Sequence, residues 1–155
     1  MTYNDWIKTV PQAITGDPLW KMEAYRLALF AADLAWPGVT KLIQDKRTLA
    51  LADQLYRSVG GVSSDIAEGY SRQSGKDQAR FYEYALGSAR EGRNWYYEGR
   101  HILGEAVSTH RMKLLTEIIR LLLTMIPTER GYKLQEEPTP YQSIAVDLLD
   151  NPPIP

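Results

Sequence analysis

Residues 108–126 carry two apolar rows side by side at helical spacing. Met112, Leu115, Ile119, Leu122 and Ile126 form one row, and Leu114, Ile118, Leu121 and Met125 form its neighbour. A helix with two adjacent apolar rows has a wide face to bury, so this segment demands other helices against it. Three further segments have the same period. Asp17-Pro18 pairs a capping acid with proline at a first helical position, and Trp20, Ala24, Leu27, Ala31 and Leu34 then recur on one face. Proline cannot continue a helical ladder, so this helix is expected to stop at Trp36-Pro37-Gly38. A second helix is expected from about Arg47, with the row Leu55, Val59, Val62, Ile66 and Gly69, and with Gly69 as its stop. A third starts at Ser74, with Asp77 three residues on as a capping pair, and runs to about Gly104. Its seam reads Phe81, Ala85, Ser88, Gly92, Trp95, Gly99 and Ile102. The fourth is expected to end at Pro127. No segment alternates as a strand does.

The expected fold is therefore all-α: an antiparallel up-down four-helix bundle over 17–127, since short connections join helices two, three and four. Residues 1–16 read as an N-terminal extension. Residues 128–155 hold five of the nine prolines once Pro127 is excluded, together with five acidic groups, and read as an extended or disordered tail. Ile144, Leu148 and Leu149 form a small apolar cluster within it.

Several functional classes are disfavoured. The chain has no cysteine, which removes disulfides and thiolate chemistry and fits a reducing cytoplasm. No apolar run has signal-peptide or membrane-spanning length, so a cytoplasmic location without membrane contact is expected. Net charge is −1; residues 47–130 hold twelve basic and ten acidic groups, and residues 131–155 one basic and four acidic. Dedicated nucleic-acid binders are usually far more lopsided. Gly69 to Lys76 superficially resembles a phosphate loop. Its glycines are one residue too far apart, and Asp77 stands where a magnesium-binding hydroxyl is needed. Glu98 and His101 make a single E-x-x-H pair, where di-iron bundles need two pairs and two more glutamates. No catalytic constellation, metal site or cofactor is expected.

Two groups of residues remain. Gly60, Gly61, Gly87, Gly92 and Gly99 lie inside helices, where each glycine costs about 1 kcal/mol against alanine. Close helix–helix approach is the expected offset, with Trp95 or Phe81 filling gaps. Arg57, Gly61, Asp65 and Glu68 on one helix, with Gly87, Ser88, Glu91, Gly92, Trp95 and Gly99 on the next, are the expected packing or subunit-interface residues. Carboxylates there are expected to pair with Arg57, inside the bundle or between subunits. The second group is Arg90, Arg93 and Arg100 interleaved with Tyr96 and Tyr97: guanidinium groups can hold phosphates while tyrosine rings stack on bases.

Residues 50–104 carry a recognisable pattern. It reads Gln54-Leu-Tyr-Arg57-Ser-Val, then Asp65-Ile-Ala-Glu-Gly69-Tyr-Ser-Arg72, then Phe81-Tyr-Glu-Tyr-Ala85-Leu-Gly-Ser88-Ala-Arg-Glu91. This resembles the family of ribosomal-RNA intervening-sequence proteins. Its cousins include the accessory variability determinants of diversity-generating retroelements. The family pattern is Q-x-x-R-A, N-I-A-E-G-x-x-R and A-x-G-S-x-x-E. Here Asp65 replaces Asn, Ser58 replaces Ala, and Gly60-Gly61 replaces a Ser-Ile-like pair. The resemblance spans roughly residues 19–126. It implies a non-enzymatic bundle that assembles as a homo-oligomeric ring, commonly a pentamer. It also implies an adaptor role toward RNA or DNA, or toward a reverse transcriptase. A purely protein-binding scaffold, with recognition through the C-terminal tail, is the alternative expectation.

Overall fold

The computed structural model describes residues 1–130 and 146–155, with side-chain placement for residues 1–126 and 148–155. The described residues are helical and contain no strand. The long helices are α3 (Glu23–Leu42), α4 (Leu49–Tyr70), α5 (Gly75–Glu98) and α7 (Glu105–Arg130). Shorter ones are α1 (Tyr3–Thr9), α2 (Gln12–Thr15), α6 (Arg100–Leu103) and α8 (Val146–Leu149). The four long helices pack in a closed cycle: α3 on α4, α4 on α5, α5 on α7, and α7 back on α3. Both apolar rows of α7 face inward. Leu114, Leu115, Ile118, Ile119, Leu122 and Ile126 are buried, while Met112, Leu121 and Met125 pack at the core's edge. Leu55, Val59, Val62 and Ile66 of α4 are fully buried, as their spacing predicts.

Helix boundaries follow local chemistry where a side chain caps the backbone. The Ser74 hydroxyl accepts from the Asp77 amide and starts α5. The Asp17 carboxylate accepts from the Leu19 amide, but the element it starts is a 3₁₀ turn, Pro18–Lys21; α3 begins only at Glu23. Gly104 has φ +90°, which a residue with a Cβ rarely adopts, and it makes the corner into α7.

Both expected proline stops are corrected. α3 runs through Pro37 to Leu42, and α7 runs through Pro127 to Arg130. An interior proline costs roughly 3 kcal/mol. In α3 that cost is offset on both sides of Pro37, because Leu34, Ala35, Gly38 and Leu42 are all buried. The Gly69 stop is also corrected, since α4 continues to Tyr70. A Cβ on Gly69 would lie 2.8 Å from Tyr82 Cε1 and 2.9 Å from Phe81 Cβ. Its role is close approach, not capping.

The seam of α5 is rotated from the expected one. Tyr82, Ala85, Ala89, Gly92 and Tyr96 are buried, whereas Phe81, Ser88 and Trp95 are only half-buried. The α5 helix ends at Glu98, and α6 fills the interval to Gly104.

Residues 1–16 form part of the packed structure. Trp6 on α1 is 2% exposed, stacks on Tyr3 at 5.6 Å, and meets Phe30 of α3 at 5.2 Å. Its indole N–H donates to Asp33.

The expectation of an extended or disordered tail over 128–155 is corrected at both ends. Residues 128–130 belong to α7. Leu148 is buried on α7, and Pro152 is buried as well. The stretch between, with Ile144, lies outside the described residues. No helix among the described residues is long and apolar enough to cross a membrane.

Candidate nucleic-acid and subunit-contact surfaces

Positions 90, 93, 97 and 100 follow one another at steps of three and four, which stacks them on one flank of α5 and its continuation. Arg90 and Arg93 are half-buried there, and the Arg93 guanidinium donates to the Thr116 hydroxyl of α7 at 3.1 Å. The Arg100 guanidinium lies 4.1 Å from the centre of the Tyr97 ring and donates to the Tyr97 carbonyl at 2.8 Å. It also lies 3.6 Å from Glu105, an exposed partner. Tyr97 is 53% exposed. The flank therefore offers one accessible aromatic ring with a guanidinium already stacked on it, and two more arginines beside it.

Tyr96 is the correction on this flank. It turns into the core and is 1% exposed, so it offers no face for a base. Burial pushes its hydroxyl up to about 12. Steps of three from Arg90 and Arg93 place residue 96 toward the buried side, where Ala89 and Gly92 also lie.

The second surface lies between α4 and α5. A Cβ on Gly61 would sit 3.2 Å from Ser88 Oγ, so the two helices touch at this point. One turn on, the Ser88 hydroxyl donates to Asp65 at 3.3 Å. Partial burial, opposed by that hydrogen bond and reinforced by Glu68, holds the Asp65 carboxyl above the ordinary carboxylate range. Gly92 is enclosed, its virtual Cβ 3.0 Å from Val59 Cγ2 and 3.4 Å from Leu115 Cδ1. Gly99 stands 3.4 Å from Leu103 and Leu42 by the same measure. Close packing thus explains Gly61, Gly92 and Gly99.

It does not explain Gly60 and Gly87. A Cβ at either would meet nothing within 4 Å among the described residues. Both occur at helical spacing from exposed side chains: Tyr56, Gly60 and Ser64 on α4, and Tyr84, Gly87 and Glu91 on α5. The expected pairing of Arg57 inside the bundle is also corrected. Arg57 pairs with Asp53 one turn back at 3.0 Å, and Glu68 pairs with Arg72 at 2.7 Å, both at the surface. Glu91 accepts from the half-buried Trp95 indole at 3.1 Å. These local pairs contribute little to stability.

Glu98 accepts from Asn94 at 3.0 Å, and His101 is exposed. No group of three or more His, Cys, Asp or Glu side chains suited to a metal ion occurs among the described residues.

Sequence reasoning missed two clusters. Arg72 and Arg80 lie over the Phe81 ring, at 4.6 and 5.5 Å. At the other end of α5, Tyr96 meets the buried Arg111 of α7, which is bonded to its neighbour His110. The signal for the second was present: Arg111 occupies a core register, four residues after Val107 and four before Leu115.

The model of one protein family, described as 23S rRNA-intervening sequence protein, matches residues 21–126. No curated protein and no solved structure matches the chain.

Proposed function

The chain belongs to the 23S rRNA-intervening sequence protein family, and on that premise we propose that it is a non-enzymatic, self-assembling adaptor of the cytoplasm. Its four packed helices form an up-down bundle, and copies of the bundle close into a ring of five. The ring works on RNA or with a nucleic-acid-handling protein such as a reverse transcriptase. The family match over most of the bundle carries this reading.

Two features of the surface support it. Gly60 and Gly87 give up helix propensity with no neighbour among the described residues to require it. A second subunit approaching between Tyr56 and Tyr84 supplies that requirement. The Arg90, Arg93, Tyr97 and Arg100 flank supplies the phosphate and stacking contacts. One copy gives few phosphate contacts and a shallow salt slope. Five copies on one strand raise avidity by about 10²–10⁴.

Light scattering coupled to gel filtration tests the assembly, and a mass near 17.6 kDa at micromolar concentration would sink it. Titration of a long labelled single-stranded RNA at low and moderate salt tests the contact. Binding is expected to weaken with salt and to fall in Arg93→Glu. Absence of binding at low salt removes RNA as a direct ligand and leaves a protein partner. The alternative, a scaffold that recognises proteins through its tail, must first release Leu148 from α7.

A further inference from the structure

Arg111 is 1% exposed, yet its guanidinium meets no carboxylate among the described residues. A buried cation without a counter-charge needs strong acceptors. Two are present. One terminal nitrogen donates to His110 Nδ1 at 2.8 Å, and the other to the Pro153 carbonyl at 2.8 Å. Arginine cannot accept a hydrogen bond, so His110 Nδ1 carries no proton. The proton is therefore on Nε2, which donates to the Leu148 carbonyl at 2.9 Å. The two adjacent residues of α7 thus read two backbone carbonyls of the C-terminal segment, five residues apart. Leu148 and Pro152 are its buried apolar anchors. Asn151, with φ 52°, turns the chain between them; asparagine tolerates that conformation better than most residues.

The receptor and what fills it have different supports. His110 and Arg111 stand on α7, and Tyr96 stands on α5; both helices belong to the common core. The segment that fills the site holds only one helical turn, α8, too short to be stable alone. The site also offers more than the segment uses. The Tyr96 hydroxyl lies beside the Arg111 guanidinium, and neither that hydroxyl nor the Arg111 Nε–H makes a well-formed hydrogen bond among the described residues. An open groove of about 370 Å³ continues past Leu148 along Glu105, Ala106, Thr109 and Lys113.

We infer that Tyr96, His110 and Arg111 form a peptide-binding socket, and that residues 146–155 are its internal ligand, docked reversibly through the Leu148 and Pro153 carbonyls. The ligand class is a short proline-containing segment with a leucine five residues before the carbonyl that Arg111 reads. Specificity comes from two fixed donors and two apolar anchors. The chain's own tail holds the socket closed.

The test uses the full chain with both apolar anchors removed, Leu148→Ser with Pro152→Ser, and a labelled peptide of residues 146–155. Fluorescence anisotropy reads binding, and circular dichroism reads the helices. The doubly substituted chain is expected to keep its helices and to bind the peptide. The unsubstituted chain should bind at least about tenfold more weakly, because its tethered tail competes at an effective concentration near millimolar. Adding His110→Ala to the doubly substituted chain should abolish binding. Hydrogen exchange over 146–155 should quicken in the doubly substituted chain and be unchanged elsewhere. If that chain keeps its helices but binds no peptide, there is no socket. If it loses its helices, the tail is part of the core and not a ligand. Equal binding by substituted and unsubstituted chains places the peptide elsewhere and overturns the assignment.

Discussion

At Gly92 the α5 backbone comes so close to α4 that an added Cβ would lie 3.0 Å from Val59 Cγ2. At Arg111 a whole guanidinium is buried, and a backbone carbonyl of a distant segment, that of Pro153, closes over it. The first contact is made by deleting side-chain atoms, the second by burying a charge and finding it acceptors. Deletion is permanent, because neither helix can move without opening a void beside Val59 and Leu115. One of the two acceptors at Arg111, the Pro153 carbonyl, belongs to a segment that water can replace. One molecule thus holds a fixed seam and a releasable closure, and the difference lies in what fills the gap.

The largest effect that would break this comparison is expected from Gly92→Leu. Overpacking a closed seam costs about 1–3 kcal/mol, and this site should fall at the upper end because Val59 and Leu115 enclose it. Chemical denaturation checks it, and a gain in stability would show that the seam is open. A smaller and local effect is expected from pH. Burial first, then Arg111 and Lys113, hold His110 below its ordinary 6.5, while the bond to the Leu148 carbonyl opposes them. The groups facing the ring are Arg111, Lys113 and Glu105, with the Tyr96 hydroxyl beyond Arg111. The lowered value means the undocked state binds the proton more readily, so docking is complete above about 6.5. It is lost as pH falls from there through the lowered value, where a proton on Nδ1 would confront the guanidinium. Hydrogen exchange over 146–155, corrected for the intrinsic rate at each pH, should therefore be faster at pH 5.5 than at 7.5 while the α4–α5 seam stays protected. Uniform quickening would erase the distinction. The smallest effect sharpens it. Gly87→Ala has open space for its Cβ and should stabilise the subunit by about 0.4–1 kcal/mol. If the ring closes at this face, the same variant should lower the mass in solution. An unchanged mass moves the subunit contact elsewhere.

Much of the fold was legible because its causes are local. The Ser74 cap and the rows of α4 and α7 follow from spacing within a few residues. The prolines misled because the rule for them is also local. Pro37 sits between residues whose burial outweighs one lost hydrogen bond, and burial is not a property of the neighbouring sequence. Of the arginine flank, Tyr97 and Arg100 meet. Tyr96 does not join them, because a rotation of α5 by part of a turn exchanges an accessible ring for a core one. The glycines divided in the same way: their presence was visible, but which of them had a neighbour was not.

The sequence by itself determined an all-helical chain, its principal apolar faces and its family pattern, since periodicity and motif are written along the backbone. Only the tertiary structure decided that Trp6 and Asp33 join the N-terminal segment to α3, and that Leu148 returns to α7. Those contacts span 27 and 38 residues. Their energy comes from burial and from hydrogen bonds between groups that meet only when the core has already brought the helices together.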